Sequence, residues 1–209
     1  MENHTDAKSH WERVYTTKSL EEVSWYQPIP QTSLDFFKEE HIPKDARILD
    51  VGGGDSLLVD HLLDLGYQNL SVLDISGAAL GRAKKRLGSR ADKVDWIEAD
   101  VRDFSAEGKF DVWHDRAAFH FLSDQVSIST YVHNADQSTR GKGWLFMGTF
   151  SETGPLKCSG LETTHYAPEG LKSVFKRNFD NIRCVETIHH TPFGTSQDFT
   201  FCSFRKKQS

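Results

Sequence analysis

A chain of 209 residues with 37% hydrophobic and 26% charged side chains has apolar material for one core, and its 14 Phe and 5 Trp exclude a disordered composition. The formal net charge of -5, with Arg205-Lys206-Lys207 as a basic tail, lacks the electrostatic footprint of a nucleic-acid binder. Charged side chains are spread through the N-terminal stretch, leaving no apolar core for a signal peptide, and no window reaches membrane-spanning length.

Residues 1–32 form a polar N-terminal segment carrying Trp11, Tyr15, Trp25 and Tyr26, ahead of a single domain over 33–209. Leu34, Phe36 and Phe37 predict a short helix over Ser33 to His41, stopped at Ile42-Pro43. Arg47 to Val51 is a β-prone run that ends in Gly52-Gly53-Gly54. Leu57, Leu58, His61, Leu62 and Leu65 lie at helical spacing, with Gly66 as the stop. Leu70 to Asp74 is the next strand, Ala78 to Leu87 the next helix, Val94 to Glu98 a third strand and Phe110 to His114 a fourth.

A helix over 124–137 leads to a fifth strand at Gly143 to Phe150, and a helix at Pro168 to Phe175 leads to β-rich runs at Ile182 to His189 and Asp198 to Phe204. This alternation predicts an α/β, doubly wound, mostly parallel seven-stranded sheet with an antiparallel C-terminal strand pair and helices on both faces. Cys158, Cys184 and Cys202 are odd in number, far apart and without a CxxC pair, so they read as reduced thiols in a cytoplasmic protein, with neither a disulfide framework nor a zinc site.

Glycines directly after a first strand let the backbone approach a ligand, and the following helix N-terminus points free amides at it. Asp50 and Asp55 flank this turn and would repel a pyrophosphate; Leu57 stands where a dinucleotide fingerprint wants a third glycine, and the Gly-Lys-Ser/Thr of a P-loop is absent. S-adenosylmethionine (SAM) has no phosphate, and its ammonium and sulfonium suit an acid-lined turn. Asp74 ends the second strand, where a carboxylate can accept from both ribose hydroxyls, and Ile75 follows it. After the third strand, the Asp100 carboxylate and the Val101 backbone can read the adenine amino edge.

In this order the residues resemble the class I SAM-dependent methyltransferases from about Arg47 to Phe150. Asp50-Val-Gly52-Gly53-Gly54-Asp55-Ser56 looks like the family's acid-x-Gly-x-Gly-x-Gly loop, with Ser56 in place of the last glycine and suited to cap the helix. The resemblance makes Asp74 the ribose acid and Asp100 the adenine-side acid, and it sets His114-Asp115-Arg116 facing the methyl group. The N-terminal Trp11, Tyr15 and Trp25 are similar to the opening of a subgroup that includes protein-lysine methyltransferases, in which that segment closes over the cofactor. The fourth-strand motif departs from that subgroup's Glu-Lys-Gly.

Methyl transfer is an in-line displacement, so the protein mainly aligns an acceptor lone pair and excludes water. His114 and His120 are the first candidates for a base, and Arg116 for pairing with an acidic acceptor or with Asp115. Trp11, Tyr15, Trp25 and Tyr26 read as a lid ordered by the cofactor. His189-His190 lie on adjacent strand positions facing opposite sides, so no metal is predicted. The function expected is methyl transfer from SAM, leaving S-adenosyl-L-homocysteine (SAH), to a small molecule or a protein side chain. A non-catalytic SAM-binding or partner-binding module is the alternative, and an NAD(P) oxidoreductase ranks below both.

Overall fold

A computed structural model of the chain describes residues 4–208. Its main sheet is built from β1 (Arg47–Val51), β2 (Asn69–Asp74), β3 (Val94–Glu98), β4 (Phe110–Arg116), β5 (Thr139–Phe150), β8 (Phe179–His190) and β9 (Ser196–Lys206), while β6 (Lys157–Cys158) and β7 (Leu161–Glu162) form a small separate hairpin. The helices are α1 (His4–Thr17), α2 (Gln31–Glu39), α3 (Leu58–Asp64), α4 (Gly77–Leu87), α5 (Gln125–Ser138) and α6 (Pro168–Phe175).

The sheet order is β3-β2-β1-β4-β5-β9-β8, parallel from β3 through β5 and antiparallel where β9 joins β5 and β8. The predicted α/β sheet is therefore the one observed. The successive strands β1, β2 and β3 step outward on one side of β1, and the chain then crosses back to lay β4 on the other. Such a reversal opens a crevice at the C-terminal ends of the strands.

Strand alternation decides which helix each side chain meets. Ile48, Val72, Val112 and Phe146 join Phe36 and Phe37 of α2, Leu58 and Leu62 of α3, and Leu80 of α4 in one core. Leu49, Leu73, Trp113 and Leu145 join Tyr131 of α5 and Leu171 and Phe175 of α6 in the other. Full burial of each such side chain stabilises by about 1.5–3 kcal/mol. Local caps set the helix starts: the Ser76 hydroxyl accepts from the Ala79 amide at 3.2 Å, and Asp124 accepts from the amides of Val126 and Ser127.

Two features differ from the sequence reading. The polar N-terminal stretch contains α1 and a 3₁₀ turn over Leu20–Glu22, with Val14, Tyr15 and Val23 buried against the domain. Cys184 and Cys202 form a disulfide, which corrects the expectation of three free thiols; Cys158 alone is free. Their 18-residue separation conceals that the antiparallel pairing of β8 and β9 sets them directly opposite one another.

The end of β4 is anchored by buried polar groups. Trp113 Nε1–H donates to the Tyr131 hydroxyl at 2.9 Å, and that hydroxyl donates to Asp115 at 2.6 Å. Replacing Tyr131 with Phe removes both bonds from a fully buried position. We expect urea denaturation of Tyr131→Phe to show a loss of about 1–3 kcal/mol with an unchanged m value, the cost of stranding buried polar groups.

Candidate active site

One cleft runs along the C-terminal ends of the strands in spatial order: Ala99, Asp100 and Val101 after β3, Asp74 and Ile75 at the end of β2, Val51 and Gly52 at the end of β1, and Arg116 to Ala118 at the end of β4. Beyond these it is lined by Phe150 of β5 and by Gln197 and Phe199 of β9, with Cys158, Leu161 and Glu162 of the small hairpin. Trp11, Tyr15 and Trp25 form its N-terminal wall together with Phe121.

Asp74 is buried at the cleft wall. One of its oxygens accepts the Ser76 amide at 2.8 Å. Burial, with Asp50 and Glu12 nearby, raises its pKa to about 7 despite the amides of Ser76 and Gly54. Gly54 sits at φ +42°, and a Cβ there would lie 2.7 Å from Asp74 Oδ2 and 3.0 Å from the Tyr15 hydroxyl, so only glycine leaves this carboxylate room. At the β3 end, Asp100 is bound by its neighbour Arg102, whose Nη2 donates at 2.6 Å and whose Nε donates at 3.0 Å. The Arg102 backbone amide donates to Asp100 Oδ1 as well, at 2.9 Å.

The glycine loop folds over the end of β2, with the Gly52 amide donating to Leu73 O at 2.7 Å and the Gly53 amide to the same oxygen at 3.3 Å. Ser56 is not among the cleft-lining residues; it precedes Leu57, the N-cap of α3, and its hydroxyl accepts the Leu58 amide at 3.1 Å. Asp55 also faces away, ion-paired with Arg82 at 2.8 Å and with Arg86. It therefore contributes to holding α4 and does not border the ligand position assumed for it from sequence.

Asp50 is buried beneath the loop and accepts from His114 Nδ1 at 2.7 Å, while His114 Nε2 accepts the Ser33 hydroxyl at 2.8 Å. Both imidazole nitrogens are thus occupied inside the fold. His120 is fully buried; its Nδ1 accepts the Phe150 amide at 3.2 Å, and burial together with the Arg116 charge pushes its pKa down to about 3. Of the three catalytic candidates, only Arg116 lines the cleft. Its Nη1 donates to Trp25 O at 3.0 Å.

The N-terminal aromatic residues do meet the site. Trp11 contacts Phe121 and Trp25 edge-on at centroid distances of 5.0 and 5.7 Å, and Tyr15 lies 6.1 Å from Trp25. Glu12 of α1 accepts the Gly77 amide at 2.6 Å and the Ala78 amide at 3.2 Å, placing a carboxylate at the positive end of α4. His189 donates from Nε2 to Ser24 O at 2.7 Å and so ties the segment to β8. Glu12, Phe121, Phe150, Gln197 and Phe199 carried no local signal, because the spacing of distant strands brings them here.

A family model described as a methyltransferase domain matches residues 48–143. Nodulation protein S of Rhizobium fredii is 30% identical over 139 residues, an alignment spanning 66% of this chain and 75% of that protein. The chain belongs to the class I SAM-dependent methyltransferases. The methyltransferase is also 26% identical over 192 residues to EEF1A lysine methyltransferase 2 of Danio rerio, covering 86% of this chain and 78% of that one. It shares its fold with the crystal structure of the N-methyltransferase NodS from Bradyrhizobium japonicum WM9 in complex with SAH, at TM-score 0.72 and 16% identity across 99% of this chain and 100% of that one. The protein is an enzyme, and SAM is its methyl donor. Among the described residues no helix is long and apolar enough to cross a membrane.

The titration of Asp74 gives the methyltransferase a pH signature. Should Asp74 hold the ribose, the hydroxyls would donate to its ionised carboxylate, and a group with a pKa of about 7 would have to shed its proton for binding. We expect SAH affinity, measured by calorimetry, to fall by about tenfold per pH unit below 7 and to level off above it. Asp74→Asn should bind weakly with a flat profile; an unchanged slope would show that another group titrates.

Proposed function

We propose that this methyltransferase holds SAM along the strand ends and methylates a small molecule seated between Arg116, Phe150 and Phe199. The observation that carries this reading is the continuity of the cleft: Asp100 and Asp74, Gly52 of the glycine loop and the β4 end line one trench that continues onto β5 and β9. Asp100 and Val101 would hold the adenine, Asp74 and Ile75 the ribose, and Gly52 to Gly54 the methionine end. When bound, SAM supplies an electrophilic methyl group on a sulfonium. Asp50 lends negative charge beneath the loop, and His114 acts as a positioning residue that fixes it.

His120 stays neutral at ordinary pH and fixes the Phe150 backbone by accepting its amide proton. Trp11, Tyr15 and Trp25 exclude water from the reacting atoms and turn aromatic faces toward the sulfonium position. One relative is named a lysine methyltransferase, whereas the name of nodulation protein S states no acceptor. What favours a small acceptor here is a charged group, Arg116, inside a cleft walled by aromatic side chains, a setting suited to enclosing a whole molecule.

Incubation of the enzyme with methyl-labelled SAM and a cell extract should place label in the small-molecule fraction; label confined to protein would overturn the choice of acceptor class. The α1 segment is proposed as the lid. Its hydrogen bonds to α4 and β8 can be exchanged for water on opening, and ordering by the cofactor would favour the closed state in which Val14, Tyr15 and Val23 are buried. Amide hydrogen exchange over residues 8–30 should slow by tenfold or more when SAH binds, and exchange that does not change would rule the lid out.

A further inference from the structure

We propose that the acceptor carries a carboxylate, bound by Arg116, and beside it a hydroxyl or amino group that donates to Gln197. This deepens the methyl-transfer reading and rests on it. Of the guanidinium nitrogens only Nη1 has a partner, the Trp25 carbonyl; Nε and Nη2 are buried without one. Nε and one terminal nitrogen form the fork that fits the two oxygens of a carboxylate.

Among the described residues, no carboxylate is recorded in an ion pair or hydrogen bond with Arg116. Asp50, whose charge Arg116 senses, is engaged by His114 Nδ1, and Asp115 is engaged by Tyr131 and by the amides of Ala118 and Phe119. A buried guanidinium without a counter-ion is a costly arrangement, and it persists where a ligand completes it.

The rival anion is the carboxylate at the methionine end of SAM, and the direction of Arg116 decides between them. Asp74 and the glycine loop belong to β2 and β1, whereas the guanidinium lies over the Phe199 ring of β9, 5.3 Å from its centroid and on the far side of β5. It reaches away from the ribose acid, toward the acceptor end. Gln197, two positions before Phe199 on β9, lines the same cleft with a buried, unpartnered Oε1, an atom that can only accept. Trp25, Phe150 and Phe199 supply flat apolar walls, so the body of the acceptor is apolar or aromatic and of modest size.

The test uses the SAH-loaded protein with benzoate, 2-hydroxybenzoate and 2-aminobenzoate as probes and their primary amides as controls. The acids should raise the melting temperature and bind at least tenfold more tightly than the amides, the hydroxy and amino acids ahead of benzoate. Arg116→Gln should lose the acid response while keeping SAH affinity within twofold; Arg116→Lys retains charge without the fork and should fall between. Acids binding no better than amides to the unmodified protein would overturn the proposal, and that comparison needs no variant to fold. A tenfold loss of SAH affinity in Arg116→Gln, with 5′-methylthioadenosine unaffected, would also overturn it by assigning the cation to the cofactor's carboxylate. Failure of the unmodified protein to bind SAH at all would instead overturn the cofactor placement beneath both proposals.

Discussion

Asp50 and His114 face each other across β1 and β4, the two strands between which the sheet reverses direction of growth. Both are buried, so each must find a polar partner, and they find one another at 2.7 Å. Ser33 at the start of α2 completes the chain of bonds through His114 Nε2, and Phe146 of β5 stacks on the imidazole at 5.3 Å. A Cβ on Gly53 would sit 2.6 Å from Asp50 Oδ2, so the glycine loop can descend onto β1 only because that position has no side chain. Loop, β4 end and α2 are thereby referenced to one hydrogen-bonded pair, and the cleft is built around it.

A second set of polar contacts holds the N-terminal wall. Arg82 of α4 pairs with Asp55 and donates to the carbonyls of Tyr15 and Lys18 at the end of α1, while Glu12 meets the amides at the start of α4. The two helices are therefore joined at both ends through charges that complement helix termini. Asp55 serves the protein through Arg82 and Arg86 and leaves the ligand to other groups. The aromatic face of α1 is held over the cleft without being part of the two cores that stabilise the sheet.

The legible part of this protein is the part with short-range periodicity. The sheet strands from β1 to β5 follow from apolar runs, β1 set between Pro43 and the glycine turn, and α4 and α6 follow from apolar spacing with a cap or a proline at the first turn. The glycine loop and Asp74 were visible because their chemistry lies in consecutive residues at strand ends, and all of Gly52, Asp74, Asp100 and Arg116 line the cleft. The disulfide was not visible, since pairing of Cys184 with Cys202 depends on the register of β8 and β9. His114 and His120 looked alike as candidate bases, but whether an imidazole faces solvent or core is decided by strand alternation and neighbouring layers, and both are buried.

The α/β alternation, the glycine loop and the acids at successive strand ends are legible in the chain alone, because each is a local pattern in which backbone geometry and side-chain chemistry occur together. What faces those acids along the cleft is a matter of tertiary structure. Trp25 from the N-terminal segment, Arg116 from β4, Phe150 from β5 and the Gln197–Phe199 pair from β9 are separated by tens of residues and share no local spacing. They meet because the antiparallel return of β9 against β5 brings the last strand beside the first parallel group, and that pairing is a property of the folded sheet.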